Sequence, residues 1–165
     1  MNFRSAILTS LGILTLCAST YVLGAEEYIK GNGALEVFDG EGMEASPLWV
    51  RMWVGFMVLM FATGLFIFAW KQAIARWVAG GFIVSVSSGA FVFSALNLPF
   101  LSGSIAIMHL ICWTPGLAFL ILKQPFLDSD QGMAFRIWSV SMTGTILFSF
   151  VFDIRDAWIY ISHVS

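Results

Sequence analysis

The chain has 165 residues, 59% of them hydrophobic and 11% charged, with a formal charge of −2. Soluble globular domains carry about 45–50% apolar and about 25% charged residues, so this composition belongs to a chain whose solvent is lipid. Its eight Lys and Arg residues are dispersed, which argues against a nucleic-acid partner, and its two cysteines form neither a CxxC pair nor a zinc spacing.

From the N-terminus, Arg4 precedes an apolar run from Ala6 to Leu23. First transmembrane helices and secretory signal peptides share that pattern. Cleavage after Ala25 would place Leu23 where a small residue is wanted, while cleavage after Gly24 places Val22 there, which is more tolerable. A lipobox around Cys17 fails because Leu16 precedes it. The expectation is a retained anchor, with a cleaved signal peptide as the alternative. Glu26 to Pro47 is an acidic loop, with Glu26, Glu27, Glu36, Asp39, Glu41 and Glu44 against Lys30. Gly31-Asn32-Gly33 is a turn signal, so Tyr28 to Phe38 is expected to form a small hairpin or an interfacial segment. The run Asp39 to Ser46 lacks the ligand spacing of a calcium loop and reads as solvated.

Ser46 and Pro47 supply an N-cap and a first helical residue, opening a second helix from Leu48 to Trp70, about 34 Å long. Trp49 and Trp53 are expected to mark one membrane interface, and Trp70 and Trp77 the other. The basic hinge from Lys71 to Arg76 points to the cytoplasmic side. The third helix runs from Trp77 to about Leu96, with Gly81, Ser85 and Ser88 on one face. Small residues at that spacing admit a second backbone. Asn97-Leu98-Pro99 breaks it. The fourth helix, Ser104 to Leu122, carries His109, Cys112, Trp113 and Pro115. Pro115 deprives the Ile111 carbonyl of its amide partner and predicts a kink. Trp113 falls near the bilayer midplane, where its indole N–H needs a partner on a facing helix. The fifth helix, Trp138 to Tyr160, ends in Trp158 and Tyr160 as an interfacial belt.

That last helix holds the candidate site. At about 100° per residue, Thr145, Ser149, Asp153, Asp156, Tyr160 and His163 fall within an arc of roughly 80°. Asp153 lies about 24 Å along the axis from Ile137, so it falls roughly 6 Å inside a ~30 Å hydrocarbon core. Asp156 sits at the boundary, and Arg155 points away from the stripe. His109, entering from the outer end of the fourth helix, reaches a depth of roughly 7–8 Å. An ionisable residue at that depth faces the bundle interior and is paired, so His109 and Asp153 are expected to meet, with Asp156 or Tyr160 as possible third members. Such a pair serves either as a packing hydrogen bond between helices or as a proton sensor or relay.

Enzymatic readings lack their residues. Bis-histidine haem ligation needs a second intramembrane histidine, and His163 is expected beyond the last helix. A metal site from His109, Asp153 and Asp156 would need His163 to fold back, so neither a metal nor a cofactor is expected. The fold class expected is an all-α, multi-pass transmembrane bundle forming one membrane domain. It has five helices, or four if the N-terminal segment is cleaved: residues 1–25 as anchor or signal peptide, 26–47 as acidic loop, 48–162 as core. Basic residues at the two inner turns place the acidic loop and the C-terminus outside, in a bacterial inner membrane. The leading functional expectation is a non-enzymatic accessory subunit packed in the bilayer against a membrane partner or itself. The alternative is a small proton- or cation-coupled transport component using the Asp/His pair.

Overall fold

The structure, a computed structural model, describes residues 33–38 and 40–165. The N-terminal apolar run, Cys17 and the turn at Gly31-Asn32 lie outside the described residues. Four described segments are long and apolar enough to cross a membrane: Leu48–Phe68, Ala73–Ala95, Ser102–Lys123 and Met133–Val164. They form an all-helical membrane bundle; a fifth span would have to come from residues outside this set. The acidic segment contributes a 3-10 turn, Gly33–Leu35, and a short helix α1, Gly40–Ala45, and no strand occurs among the described residues. The hairpin alternative therefore gives way to turns over the part of Tyr28 to Phe38 that is described.

Helix α2, Leu48–Thr63, begins at Leu48 as expected, with the cap one residue later, at Pro47. Pro47 is its N-cap, at φ −52° and ψ 147°, and Ser46 donates its hydroxyl back to the Gly42 carbonyl at 2.8 Å. The helix continues into a π turn, Gly64–Phe68, in which the Ala69 amide reaches the Gly64 carbonyl at 2.8 Å. Such a widened turn marks a place where a helix changes direction. Gly64 allows it, because a Cβ there would lie 2.6 Å from Cζ2 of Trp138. The Trp138 indole donates to the Met60 carbonyl at 3.0 Å, locking the turn to the last helix.

Helix α3, Ala73–Ala95, starts four residues before Trp77 and shortens the hinge. Arg76 donates to the Ala69 carbonyl at 2.9 Å, so its charge closes the turn instead of ending the helix. At the far end Asn97 adopts φ 54°, and the Leu98 amide returns to the Phe93 carbonyl at 2.9 Å, a left-handed cap that Pro99 follows. Helix α4, Ser102–Lys123, runs through Pro115 as one element. Gln124, at φ 44°, caps it ahead of Pro125. Helix α5, Met133–Val164, spans 32 residues, about 48 Å, and outreaches a ~30 Å hydrocarbon core. His163 accordingly lies inside its last turn, not beyond the helix.

Antiparallel packing of α2 to α5 brings the α2–α3 and α4–α5 connections to one end, where the Gln72 amide donates to Gln131 Oε1 at 3.0 Å. Lys71, Arg76, Lys123 and Arg136 are carried there, and it is called the basic end below. Next to it lies the main core, with Phe61, Val78, Trp113, Leu120, Met142 and Ile146 at 1% exposure or less. Phe61 stacks on Phe82 at 4.5 Å and tilts against Trp113 at 4.7 Å, which welds α2, α3 and α4 together at mid-depth. The close approach of α3 to α4 depends on glycine: a Cβ on Gly116 would lie 2.9 Å from Val78 Cα. Gly81 likewise lies against the Cys112 carbonyl.

Candidate functional site

At the opposite end the acidic segment roofs the bundle. The Ser102 amide and hydroxyl both donate to the Glu36 carbonyl, each at 2.9 Å, tying the 3-10 turn to the start of α4. Ala34 is buried there, and Gly103 fits between it and α5: an added Cβ would be 2.8 Å from the Asp156 carbonyl oxygen and 3.0 Å from that of Ala34. The ends of α4 and α5 are thus clamped side by side. One and a half turns further down α4, His109 comes opposite Asp153.

His109 Nδ1 lies 3.4 Å from Asp153 Oδ1, within reach of a long hydrogen bond when Nδ1 carries its proton. The other carboxylate oxygen, Oδ2, is shut off from solvent and has no hydrogen-bond partner. The imidazole is held from behind as well as from the front. It stacks on Trp113 with centroids 3.9 Å apart and planes at 21°. The Trp113 indole donates to Ser85 Oγ at 3.1 Å, and the Ser85 hydroxyl donates to the Phe82 carbonyl at 2.8 Å. A continuous chain therefore runs Asp153, His109, Trp113, Ser85, joining α5, α4 and α3. The stacked geometry also lets the indole face stabilise the ring whenever it is doubly protonated.

The pair forms part of the wall of a cavity of about 510 Å³. It lies under the roof between α2 and α3, backed by α4 and α5, and its floor is set by Met57, Phe82 and Ser149. Trp49 and Trp53 line it, at 7% and 6% exposure. Both indoles are thus turned into the bundle. Phe152 and Phe148 of α5 hold the two indoles from inside, at 6.1 Å and 4.6 Å. Trp70 and Trp77, at the basic end, are exposed.

The remaining residues of the expected cluster divide. Asp156 is buried and also lines the cavity. Arg155 does not point away from it: Nε and Nη2 both approach Asp156 Oδ1 at 2.8 Å. A helical wheel fixes where a Cα sits, whereas three methylenes let the guanidinium swing round to its neighbour. Tyr160 stays out of the pair and out of any interfacial belt; it is buried, donates to the Pro99 carbonyl at 2.7 Å and meets Phe93 edge-on. The Ser149 hydroxyl turns to Met57 Sδ at 3.5 Å, and Thr145 donates to its own helix at Ser141. Ser88 likewise donates to Val84 within α3, so of the α3 small-residue face Gly81 and Ser85 are occupied by α4. Among the described residues no three His, Cys, Asp or Glu side chains converge on a metal site.

One part of the site escapes a sequence reading. Glu36 reaches the cavity wall only because Ser102 anchors its carbonyl, and nothing in the acidic run singles it out. Trp113 carries a signal for its contact with His109, which stands four residues away on the same helix face, and its indole finds the facing-helix partner expected for it in Ser85. The class defined by these observations is an all-helical membrane bundle with a polar pair on the wall of an internal chamber. The chain matches no protein-family model, no curated protein and no solved structure.

Proposed function

We propose that this chain is a small proton- or cation-coupled transport component whose loading site is the His109–Asp153 pair. The observation that carries the reading is the position of that pair on the wall of a cavity of about 510 Å³. A packing hydrogen bond between helices needs no chamber beside it. Asp153 Oδ2 is buried without a hydrogen-bond partner, a position that a proton can occupy. Below the chamber floor the bundle is closed by Phe61, Trp113, Met142 and Ile146, so the chamber is sealed toward the basic end. Passage requires that seal to part, and the π turn of α2 sits next to it.

The reading includes an orientation. The basic end faces the cytoplasm of a bacterial cell, and the roof, the chamber and the C-terminus face outward. The accessory-subunit alternative drew on the small-residue face of α3, and Gly81 and Ser85 of that face contact α4 within the bundle.

The test is proton flux into liposomes containing the full chain and a pH-sensitive dye, driven by a potassium diffusion potential. The wild-type chain is expected to carry protons at least about tenfold faster than Asp153→Asn, which keeps the side-chain shape and loses the proton site. Flux equal to that of Asp153→Asn, or of empty liposomes, rejects the reading.

A further inference from the structure

Resting on that reading, we infer that the chamber takes an organic ammonium ion: a protonated amine carrying an apolar, ring-sized body. Among the described residues the wall has three carboxylate side chains, Glu36, Asp153 and Asp156, together with His109, and no Lys or Arg. Asp156 is already neutralised by Arg155 and Glu36 is exposed, so Asp153, beside His109, is the carboxylate that the interior offers to a positive charge. The remainder of the lining is dominated by aromatic and aliphatic side chains, with Trp49, Trp53 and Phe152 on one flank. A hydrated inorganic cation gains nothing from such walls. Calcium and magnesium want six or more oxygens, and no three ligating side chains converge among the described residues. An ammonium group with a carbon body suits both halves of the lining, since aromatic faces attract cations and apolar walls take the body. A volume of about 510 Å³ falls in the range of about 300–1,000 Å³ typical of small-molecule pockets.

The probe pair that isolates the charge is phenethylamine, protonated at neutral pH, and 2-phenylethanol, its uncharged near-isostere. Binding of each to the full chain in phosphatidylcholine nanodiscs is measured by isothermal titration calorimetry. Phenethylamine is expected to bind saturably and more than about tenfold tighter than the alcohol, with that preference lost in Asp153→Asn. Equal affinities for the two probes in the wild-type chain overturn the inference without any variant. A preference that survives Asp153→Asn overturns the placement of the nitrogen. Saturable heats with sodium or potassium chloride but none with the amine overturn the organic class while leaving the cation-coupled reading intact. Amine binding without proton flux rejects the coupling and leaves the ligand class standing.

Discussion

Gly103→Ala is the sharpest test of how the roof is built, because the perturbation is a single methyl group whose surroundings are known. The new Cβ would lie 2.5 Å from Tyr160 Cβ, 2.8 Å from the Asp156 carbonyl oxygen and 3.0 Å from that of Ala34. Two of the three are backbone atoms and the third is a side-chain root, so no rotamer change relieves the contact. Overpacking of this kind costs about 1–3 kcal/mol. Against it stands the gain of up to about 1 kcal/mol from replacing glycine in a helix. A net loss of about 1–2 kcal/mol is expected, and it falls on the cheapest thing to move, the segment from Gly33 to Phe38. Thermal unfolding in detergent measures the loss, and amide hydrogen exchange shows whether the Ser102 amide, which donates to Glu36, becomes less protected. Gly55→Ala and Gly80→Ala are the controls, since nothing lies within 4 Å of either added Cβ. Both should be neutral or slightly stabilising. If Gly103→Ala behaves like those controls and the Ser102 amide keeps its protection, the wedge account of the roof is wrong.

Ser85→Ala removes the acceptor of a buried indole N–H; the loss should be about 0.6–2 kcal/mol, spanning hydrogen bonds measured in membranes and orphaned donors in water-soluble cores. Trp113→Phe in the same background should recover no further hydrogen-bond loss, so a double-mutant cycle by denaturant titration that shows additivity would refute the Trp113–Ser85 bond. Tyr160→Phe deletes only the bond to the Pro99 carbonyl and keeps the ring on Phe93, and because Pro99 is exposed, water can replace the donor. A loss of less than about 1 kcal/mol in thermal unfolding is expected, and a larger one would mean that the hydroxyl does more than cap Pro99.

The four spanning helices were legible because each is a long apolar run bounded by Pro, Gly or charge. Their ends were not, for a definite reason: lipid thickness limits how much of a helix must be apolar, not how far the helix continues. Helix α5 therefore extends through Ser162 and His163, and α3 begins among the polar residues near Arg76. The level of His109 and Asp153 was legible because a helix rises a fixed 1.5 Å per residue, and two such rulers entering from the same end can be compared. Their side-chain environments were less so. Trp49 and Trp53 sit where an interfacial belt is expected, yet the roof formed by residues 33–46 covers them and turns an interface into an interior. Arg155 and Asp156 show the same limit at the scale of one side chain, since rotation about the axis says nothing of where a long side chain finds its partner.

The two halves of the bundle differ in how their helices are brought together, and that difference accounts for the chamber. Toward the basic end, a tight turn joins α2 to α3, Gln72 bonds Gln131, and Gly81 and Gly116 let the backbones of α3 and α4 approach closely. Toward the roof, α2 connects not to another spanning helix among the described residues but to a short acidic segment of turns, and the chamber lies between α2 and α3. Side chains from four helices then line a space that none of them fills. A polar pair facing the packed half would need every hydrogen-bonding atom satisfied by protein. Beside the chamber, Asp153 Oδ1 has His109 as its partner, while Oδ2 stays buried without one. The position of His109 and Asp153 on the roof side of the Phe61–Trp113 seal is thus a consequence of topology: it is the one depth in the described bundle where an acid on α5 meets both a base on α4 and a space large enough for a small molecule.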